Sequence, residues 1–309
     1  MATVLITSEF FGKFSDEGIK VLTDAGLTVK DPFGHKFLSP EDILPHCADA
    51  DAFICDLEKI TPEVVDASPN LKIVSRRGVG TDSVCVDYCT GKGIEVARTM
   101  GVVEAPVAEL VMSYILEFSR RVSEMSADMH AGIWEKKHSH SVDGKTIGII
   151  GMGHIGYETA RRAHAFGMNV VYSDMVANEA ANNDFGAKRM TFEQVLASSD
   201  FVSLHVPLTD STKNLINSAS LAKMKRSAYI INTSRGGVID EQALCEALKN
   251  GVIAGAAVDV FEKEPETESK LRGLDNVLLT PHIGTFTEEI FIKMDVVAAQ
   301  NVVKKLAQK

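Results

Sequence analysis

Thr146-Ile147-Gly148-Ile149-Ile150, continued without a break by Gly151-Met152-Gly153-His154-Ile155-Gly156, is the stretch that decides the fold. Five uncharged, isoleucine-rich residues read as a buried strand, and the run from His154 to about Phe166 has the apolar spacing of a helix. The three glycines have separate jobs. Gly151 permits a tight turn, Gly153 lets backbone N–H groups, those of His154 and Ile155 among them, approach a pyrophosphate at a helix N-terminus, and Gly156 lets helix and strand pack closely. The next strand, Asn169 to Ser173, ends in Asp174, 18 residues after Gly156. A carboxylate there accepts hydrogen bonds from the ribose hydroxyls of a dinucleotide and repels a 2'-phosphate, so NAD is favoured over NADP.

Outward from this turn, short apolar runs alternate with helical segments. Strands are expected downstream at Val170–Ser173, Phe201–His205, Tyr229–Asn232, Ile253–Val258 and Val277–Thr280, which with Thr146–Ile150 makes the six of a complete dinucleotide-binding domain. Upstream, Val4–Ile6, Ala52–Cys55 and Leu71–Val74 read as strands, separated by helical patterns at 16–25, 40–48 and 62–68. Such alternation implies βαβ units on parallel sheets. Between the two series, Ala105 to Trp134 carries apolar residues at helical spacing over an unusual length, as one long helix or two in series. Met112, Met125 and Met129 on it read as core or interface filler, and Trp134 as a packing or interface residue.

The bulk properties agree. A chain of 309 residues is long enough for two domains, and 45% hydrophobic with 24% charged residues is the mix of a globular protein. A formal net charge of −10 repels phosphate backbones and anionic lipid, which argues against nucleic-acid or membrane-surface partners. Five cysteines, odd in number and without a CxxC pair, fit reduced thiols. No run reaches the roughly 20 apolar residues of a spanning helix and the N-terminus has no signal-peptide pattern, so the expected location is the cytoplasm. No metal site is expected, because His138 and His140 lack further ligands at suitable spacing and read as a solvated loop.

Three ionisable residues follow late strands of the glycine-turn sheet: Arg235, Glu264 and His282. Ligands of an open parallel sheet bind beyond the carboxyl ends of its strands, so these side chains should converge on one crevice. A guanidinium can hold a carboxylate and polarise a neighbouring carbonyl, an imidazole can exchange a proton near neutral pH, and a carboxylate can orient the imidazole. In a strand-end position, His205 reads either as a cofactor contact or as a hydrogen-bonded structural histidine.

Taken in order, these residues resemble the D-isomer-specific 2-hydroxyacid dehydrogenase family. The matching pieces are Gly151 to Gly156 with Asp174; His205-Val206-Pro207-Leu208-Thr209 with Thr212; Asn232-Thr233-Ser234-Arg235-Gly236-Gly237-Val238-Ile239-Asp240; Ala257-Val258-Asp259-Val260-Phe261 with Glu264-Pro265; and Asn276 through Thr280-Pro281-His282-Ile283-Gly284. The resemblance implies a Rossmann NAD-binding domain, residues 99–285, inserted in a discontinuous flavodoxin-like substrate domain, residues 1–98 and 286–309. It implies that Arg235 binds the substrate carboxylate and carbonyl, that His282 is the acid/base and that Glu264 orients it. The cofactor-binding set becomes Gly151, Gly153, His154, Ile155, Gly156, Asp174, His205, Pro207, Thr212, Thr233, Ser234, Asp259, His282 and Gly284. A homodimer built on the Ala105–Trp134 region is implied as well.

Within the family the chain is most similar to the phosphoglycerate dehydrogenase branch. Ser75-Arg76-Arg77-Gly78-Val79-Gly80-Thr81-Asp82 resembles the loop whose amides bind the substrate carboxylate, which brings in Gly78, Val79 and Gly80. Arg76 falls where that branch places an arginine near the substrate phosphate, and Lys136 where an arginine is usual in a second cationic stretch. The chain differs from the branch at Met100 and near Val103, and no added regulatory domain is expected. The activity implied is hydride transfer between nicotinamide and C2 of a small D-2-hydroxy acid, with 3-phosphoglycerate among the candidates. The rival readings are an NAD-sensing regulator of the co-repressor type and a formate-dehydrogenase-like enzyme; the latter pairs its histidine with Gln, and Glu264 stands against it.

Overall fold

A computed structural model describes residues 1–266 and 268–307. The chain divides into two compact units, Met1–Val103 with Thr285–Lys309, and Glu104–Gly284. The first is built on β1 (Thr3–Ile6), β2 (Thr28–Lys30), β3 (Ala52–Cys55), β4 (Ile73–Arg76) and β5 (Glu95–Arg98). They form a parallel sheet in the order β2-β1-β3-β4-β5, the flavodoxin-like arrangement. One face is covered by Leu5, Phe53 and Val74 with Ile43 and Val64; the other, through Val4, Ile6, Ile54 and Ile73, by Ala298 and Val302 of the helix Glu288–Ala307.

Three differences from the sequence expectation arise here. The fourth strand begins at Ile73 and runs through Ser75 and Arg76, both buried, so its polar second half hid the register that the apolar run Leu71–Val74 had suggested. The strands β2 and β5 border the sheet and carry exposed polar residues, and neither stands out as an apolar run.

The second unit contains β6 (Thr146–Ile150), β7 (Asn169–Ser173), β8 (Lys188–Arg189), β9 (Phe201–Leu204), β10 (Tyr229–Asn232), β11 (Gly255–Val258) and β12 (Val277–Leu279). Their order, β12-β11-β10-β9-β6-β7-β8, is that of a Rossmann sheet with one more strand at the far edge. Of the seven, β8 alone escaped the sequence reading, because it is two exposed basic residues. Both faces of the sheet are dry: Ile147, Ile149 and Tyr172 pack into one apolar cluster and Ile150, Val171 and Leu204 into another, as a parallel sheet covered on two sides requires. The long helical stretch is two helices in series, Glu104–Arg120 and Val122–His130, separated at Arg121, whose left-handed φ of 51° ends the first. No helix among the described residues is long and apolar enough to cross a membrane.

Candidate active site

The register of the second sheet lines up one row of residues. Ile150 pairs with Ser173 and with Leu204, Leu204 with Asn232, Asn232 with Val258, and Val258 with Leu279. The residues that follow each strand, Gly151, Asp174, His205, Thr233, Asp259 and Thr280, therefore emerge abreast at the carboxyl edge. Five of the residues assigned to a cofactor from the sequence lie on this row, and the two loops carrying Arg235 and His282 start from it.

The glycine turn has the shape of a cofactor cradle. Gly151 sits at φ +96°, and a Cβ on it would lie 2.6 Å from the His205 carbonyl oxygen; on Gly156 it would lie 2.2 Å from the Gly151 carbonyl. Both are contacts that only glycine permits. At Gly153, by contrast, a Cβ would meet nothing within 4 Å, which leaves room where the helix His154–Ala165 presents its first amides. Asp174 braces the turn: one carboxylate oxygen accepts from the Met152 amide at 2.7 Å and the other from the Val176 amide at 3.2 Å. Arg189, which the sequence reading passed over, lays its guanidinium on the backbone carbonyls of Asp174 (2.9 Å) and Met175 (2.7 Å), setting a cation beside Asp174. The Thr233 hydroxyl is buried with no partner among the described residues, an orphaned polar atom on the row that a polar ligand group would satisfy. These features fit a dinucleotide.

Two assigned residues serve the shape of the site. The Thr212 hydroxyl donates to the Pro207 carbonyl (2.6 Å) and accepts from the Thr209 amide (2.8 Å), which closes the loop after β9. His205 bonds through Nε2 to the Ser203 hydroxyl at 2.9 Å, and burial of its ring pushes its pKa down to about 4, so it is a neutral imidazole. Asn232, quoted in the motif but given no role, shapes the loop to Arg235. Its side-chain oxygen accepts from the Ser234 amide and hydroxyl, and its NH₂ donates to the Arg235 carbonyl at 2.9 Å.

The structure joins His282 to Glu264. Nδ1 of His282 lies 2.7 Å from Oε2 of Glu264, and both side chains remain about one-third exposed, at 31%. The other Glu264 oxygen accepts from the Phe261 amide at 2.9 Å. Partial burial pushes the Glu264 carboxyl up, but the hydrogen bond and charge of His282, the Phe261 amide and the Arg235 guanidinium outweigh it, and its pKa lies below the ordinary value. Glu264 is therefore an anion whose natural partner is an N–H, which puts a proton on Nδ1 and leaves Nε2 to exchange one with a ligand. That Arg235 reaches Glu264 electrostatically sets cation, carboxylate and imidazole in one neighbourhood.

Of the residues assigned to substrate in the first unit, Arg76 and Gly78 already have partners within the protein. Arg76 is not an outward-facing cation: it is 8% exposed, faces Asp56 at 3.5 Å and donates to the carbonyl of Arg77. The Gly78 amide is already engaged by the Thr99 hydroxyl at 2.7 Å, which leaves Val79 and Gly80 as the loop's candidate donors. Gly78 is a glycine for two reasons, its φ of +134° and the Arg76 guanidinium lying across it, where a Cβ would collide. Lys136 and Trp134 are exposed, Trp134 at 81%.

Comparison with known proteins places this geometry. The model of the D-isomer-specific 2-hydroxyacid dehydrogenase NAD-binding domain matches residues 112–284. The chain is 42% identical over 253 residues to a hydroxypyruvate reductase of Thermotoga maritima, covering 80% of this chain and 82% of that protein. It is 37% identical over 311 residues to a D-3-phosphoglycerate dehydrogenase of Methanocaldococcus jannaschii, covering 99% of this chain but 58% of the relative. Among solved structures it is similar to a glyoxylate reductase from Paecilomyes thermophila, with a TM-score of 0.87, 31% identity, and coverage of 99% and 96%.

Proposed function

Because the chain belongs to the D-isomer-specific 2-hydroxyacid dehydrogenase family, we propose that it interconverts a short, unphosphorylated 2-oxo acid and its D-2-hydroxy acid with NADH and NAD. The observation that carries this reading is the His282–Glu264 pair beside Arg235 on the strand-end row. The first unit is read as the substrate domain and the second as the cofactor domain. When bound, the nicotinamide supplies or accepts the hydride.

The chain's residues do the rest. Arg235 grips the carboxylate through its planar fork and polarises the C2 carbonyl, which orients C2 for reaction. In reduction, Nε2 of His282 delivers the proton that makes the C2 hydroxyl; in oxidation it removes that proton, and Glu264 stabilises the imidazolium in both directions. The absence of phosphate in the substrate is argued from Arg76, whose guanidinium is turned toward Asp56 and the Arg77 carbonyl. The relatives named for hydroxypyruvate and glyoxylate point the same way. Val122, Met129, Ile133 and Trp134, all about half or more exposed, form the apolar surface through which two copies associate, in the cytoplasm.

The test is a panel of glyoxylate, hydroxypyruvate, pyruvate and phosphohydroxypyruvate, followed by oxidation of NADH and then NADPH. We expect hydroxypyruvate or glyoxylate to exceed phosphohydroxypyruvate in kcat/KM by about tenfold or more, and NADH to exceed NADPH by about tenfold because of Asp174. A preference for phosphohydroxypyruvate would overturn the substrate assignment; no turnover of any member would favour a non-enzymatic NAD sensor.

A further inference from the structure

We propose that Tyr114, on the helix Glu104–Arg120, is a positioning residue for His282, acting through a directed chain of hydrogen bonds from Tyr114 to Thr280 to Asp259. The proposal rests on His282 being the acid/base.

The need for such a device is visible in the backbone. His282 adopts a left-handed φ of 54°, a conformation that is strained for a non-glycine residue and persists only where neighbours hold it. Asp259 is what holds it. The Asp259 side chain belongs to a residue only 1% exposed, and its carboxylate accepts three hydrogen bonds: Oδ1 from the Thr280 hydroxyl (2.5 Å) and the Ile283 amide (2.8 Å), Oδ2 from the Gly284 amide (2.9 Å). Its backbone carbonyl accepts a fourth, from the His282 amide at 2.8 Å. One residue thus anchors the chain before, at and after the imidazole.

The direction of the chain follows from counting protons. Thr280 has a single hydroxyl hydrogen, and the Asp259 carboxylate can only accept, so that hydrogen lies on the Thr280–Asp259 bond. The hydrogen in the Tyr114–Thr280 contact must then come from Tyr114. Tyr114 is 5% exposed, and burial pushes its phenol up from the ordinary value, so it stays a donor at every working pH. Donation into the Thr280 oxygen polarises the hydroxyl that Thr280 presents to Asp259 and fixes its rotamer. Removing it takes the donor from a partly buried acceptor and frees Thr280 to rotate off Asp259, loosening the loop at the one residue whose placement the proton transfer needs.

A hydroxyl that merely fills its place in the core would, when removed, lower the melting temperature and leave the folded enzyme's kinetics alone. A positioning role moves kcat. We would compare Tyr114→Phe, Thr280→Val, Thr280→Ser and the Tyr114→Phe/Thr280→Val pair for kcat, oxo-acid KM and NADH affinity, with the best substrate of the panel. Tyr114→Phe is expected to lower kcat by about threefold to tenfold, the range of one net hydrogen bond, with KM and NADH affinity changed by less than about twofold. Thr280→Val should lose at least as much, and Thr280→Ser, which keeps the hydroxyl, should recover most of it. The double variant should be no slower than Thr280→Val, because Tyr114 acts only through Thr280. Wild-type kcat in Tyr114→Phe, whatever its melting temperature, overturns the proposal, and if Thr280→Val fails to fold this measurement alone decides. Full activity in His282→Ala instead overturns the acid/base assignment, and the positioning role with it.

Discussion

Both sheets gather charged residues at the carboxyl ends of their strands, and they treat them in opposite ways. At the ends of β3 and β4 of the first unit stand Asp56, Glu58, Arg76 and Arg77, joined by Asp295 of the helix Glu288–Ala307. Arg77 has no exposed surface, Glu58 and Asp295 have 1%, and Arg76 has 8%. Arg77 bonds to Asp56 at 2.6 Å and to Asp295, lies 5.0 Å over the Phe291 ring, and leaves Nη2 without a partner among the described residues. In the second unit, His282 and Glu264 keep about a third of their side-chain surface and Arg235 is half-buried. The same residue types at the same place in a parallel sheet make a locked ion cluster in one case and groups able to meet a ligand in the other. Accessibility separates the two, and residue type does not.

The largest effect expected from this contrast is on stability. Arg77→Ala removes the cation that bridges the Asp56 and Asp295 carboxylates, 15% and 2% exposed, so it should cost about 3 to 5 kcal/mol, read as a lower urea midpoint. A loss below about 1 kcal/mol would mean that the cluster is not a lock and that the comparison fails on its buried side.

On the accessible side, His282→Ala should lose about a hundredfold or more in kcat/KM at every pH with little change in the urea midpoint. Reduction needs imidazolium and oxidation needs imidazole, so the two directions should show opposite pH limbs. Glu264→Gln keeps a hydrogen-bonding group but deletes the anion that favours imidazolium, and the falling limb for reduction should move to lower pH. A limb that stays in place in Glu264→Gln would show that the pair is not electrostatically coupled, even if His282 remains essential.

The contrast also explains what could be seen in the sequence. The glycine turn, Asp174, Arg235, Glu264 and His282 were legible because each chemistry needs a fixed residue type at a fixed distance from a strongly apolar strand. The long helical stretch was open between one helix and two, and Arg121 in a left-handed conformation settles it with no sequence signal of its own. The burial of Arg76 and Arg77 had no signal in the sequence, because it depends on Asp56 and on Asp295, 218 residues beyond Arg77. Tyr114 and Asn232 were hidden for a related reason. Their roles lie in particular hydrogen bonds, Tyr114 to Thr280 and Asn232 to the loop that follows it, and an apolar-spaced tyrosine looks like core in any helix.

The smallest of these effects sharpens the contrast on a single kind of group, the carboxylate. Glu264 is held below its ordinary pKa, whereas Glu58 is pushed up to about 7, first by burial and then by the neighbouring Asp56 charge, against the opposing amides of Asp56 (2.7 Å) and Glu9 (3.2 Å). The sign of the consequence follows from proton counting. Between the ordinary value of 4.5 and about 7, folded Glu58 keeps a proton that the unfolded chain has released, so the native state binds more protons and stability falls as pH rises. This contribution is fully present below pH 4.5 and lost above about 7. Its size across the window is about 2 kcal/mol, from roughly 1.4 kcal/mol per pKa unit discounted for relaxation around the site. Glu58→Gln is neutral throughout and retains a carbonyl for one of the two amides. The drop in urea midpoint between pH 5 and pH 8 should therefore be smaller in the variant than in the wild type, the titrations common to both cancelling in the difference. An identical drop in the two proteins would place the Glu58 proton elsewhere and reduce the first unit's cluster to the Arg77 pairs alone.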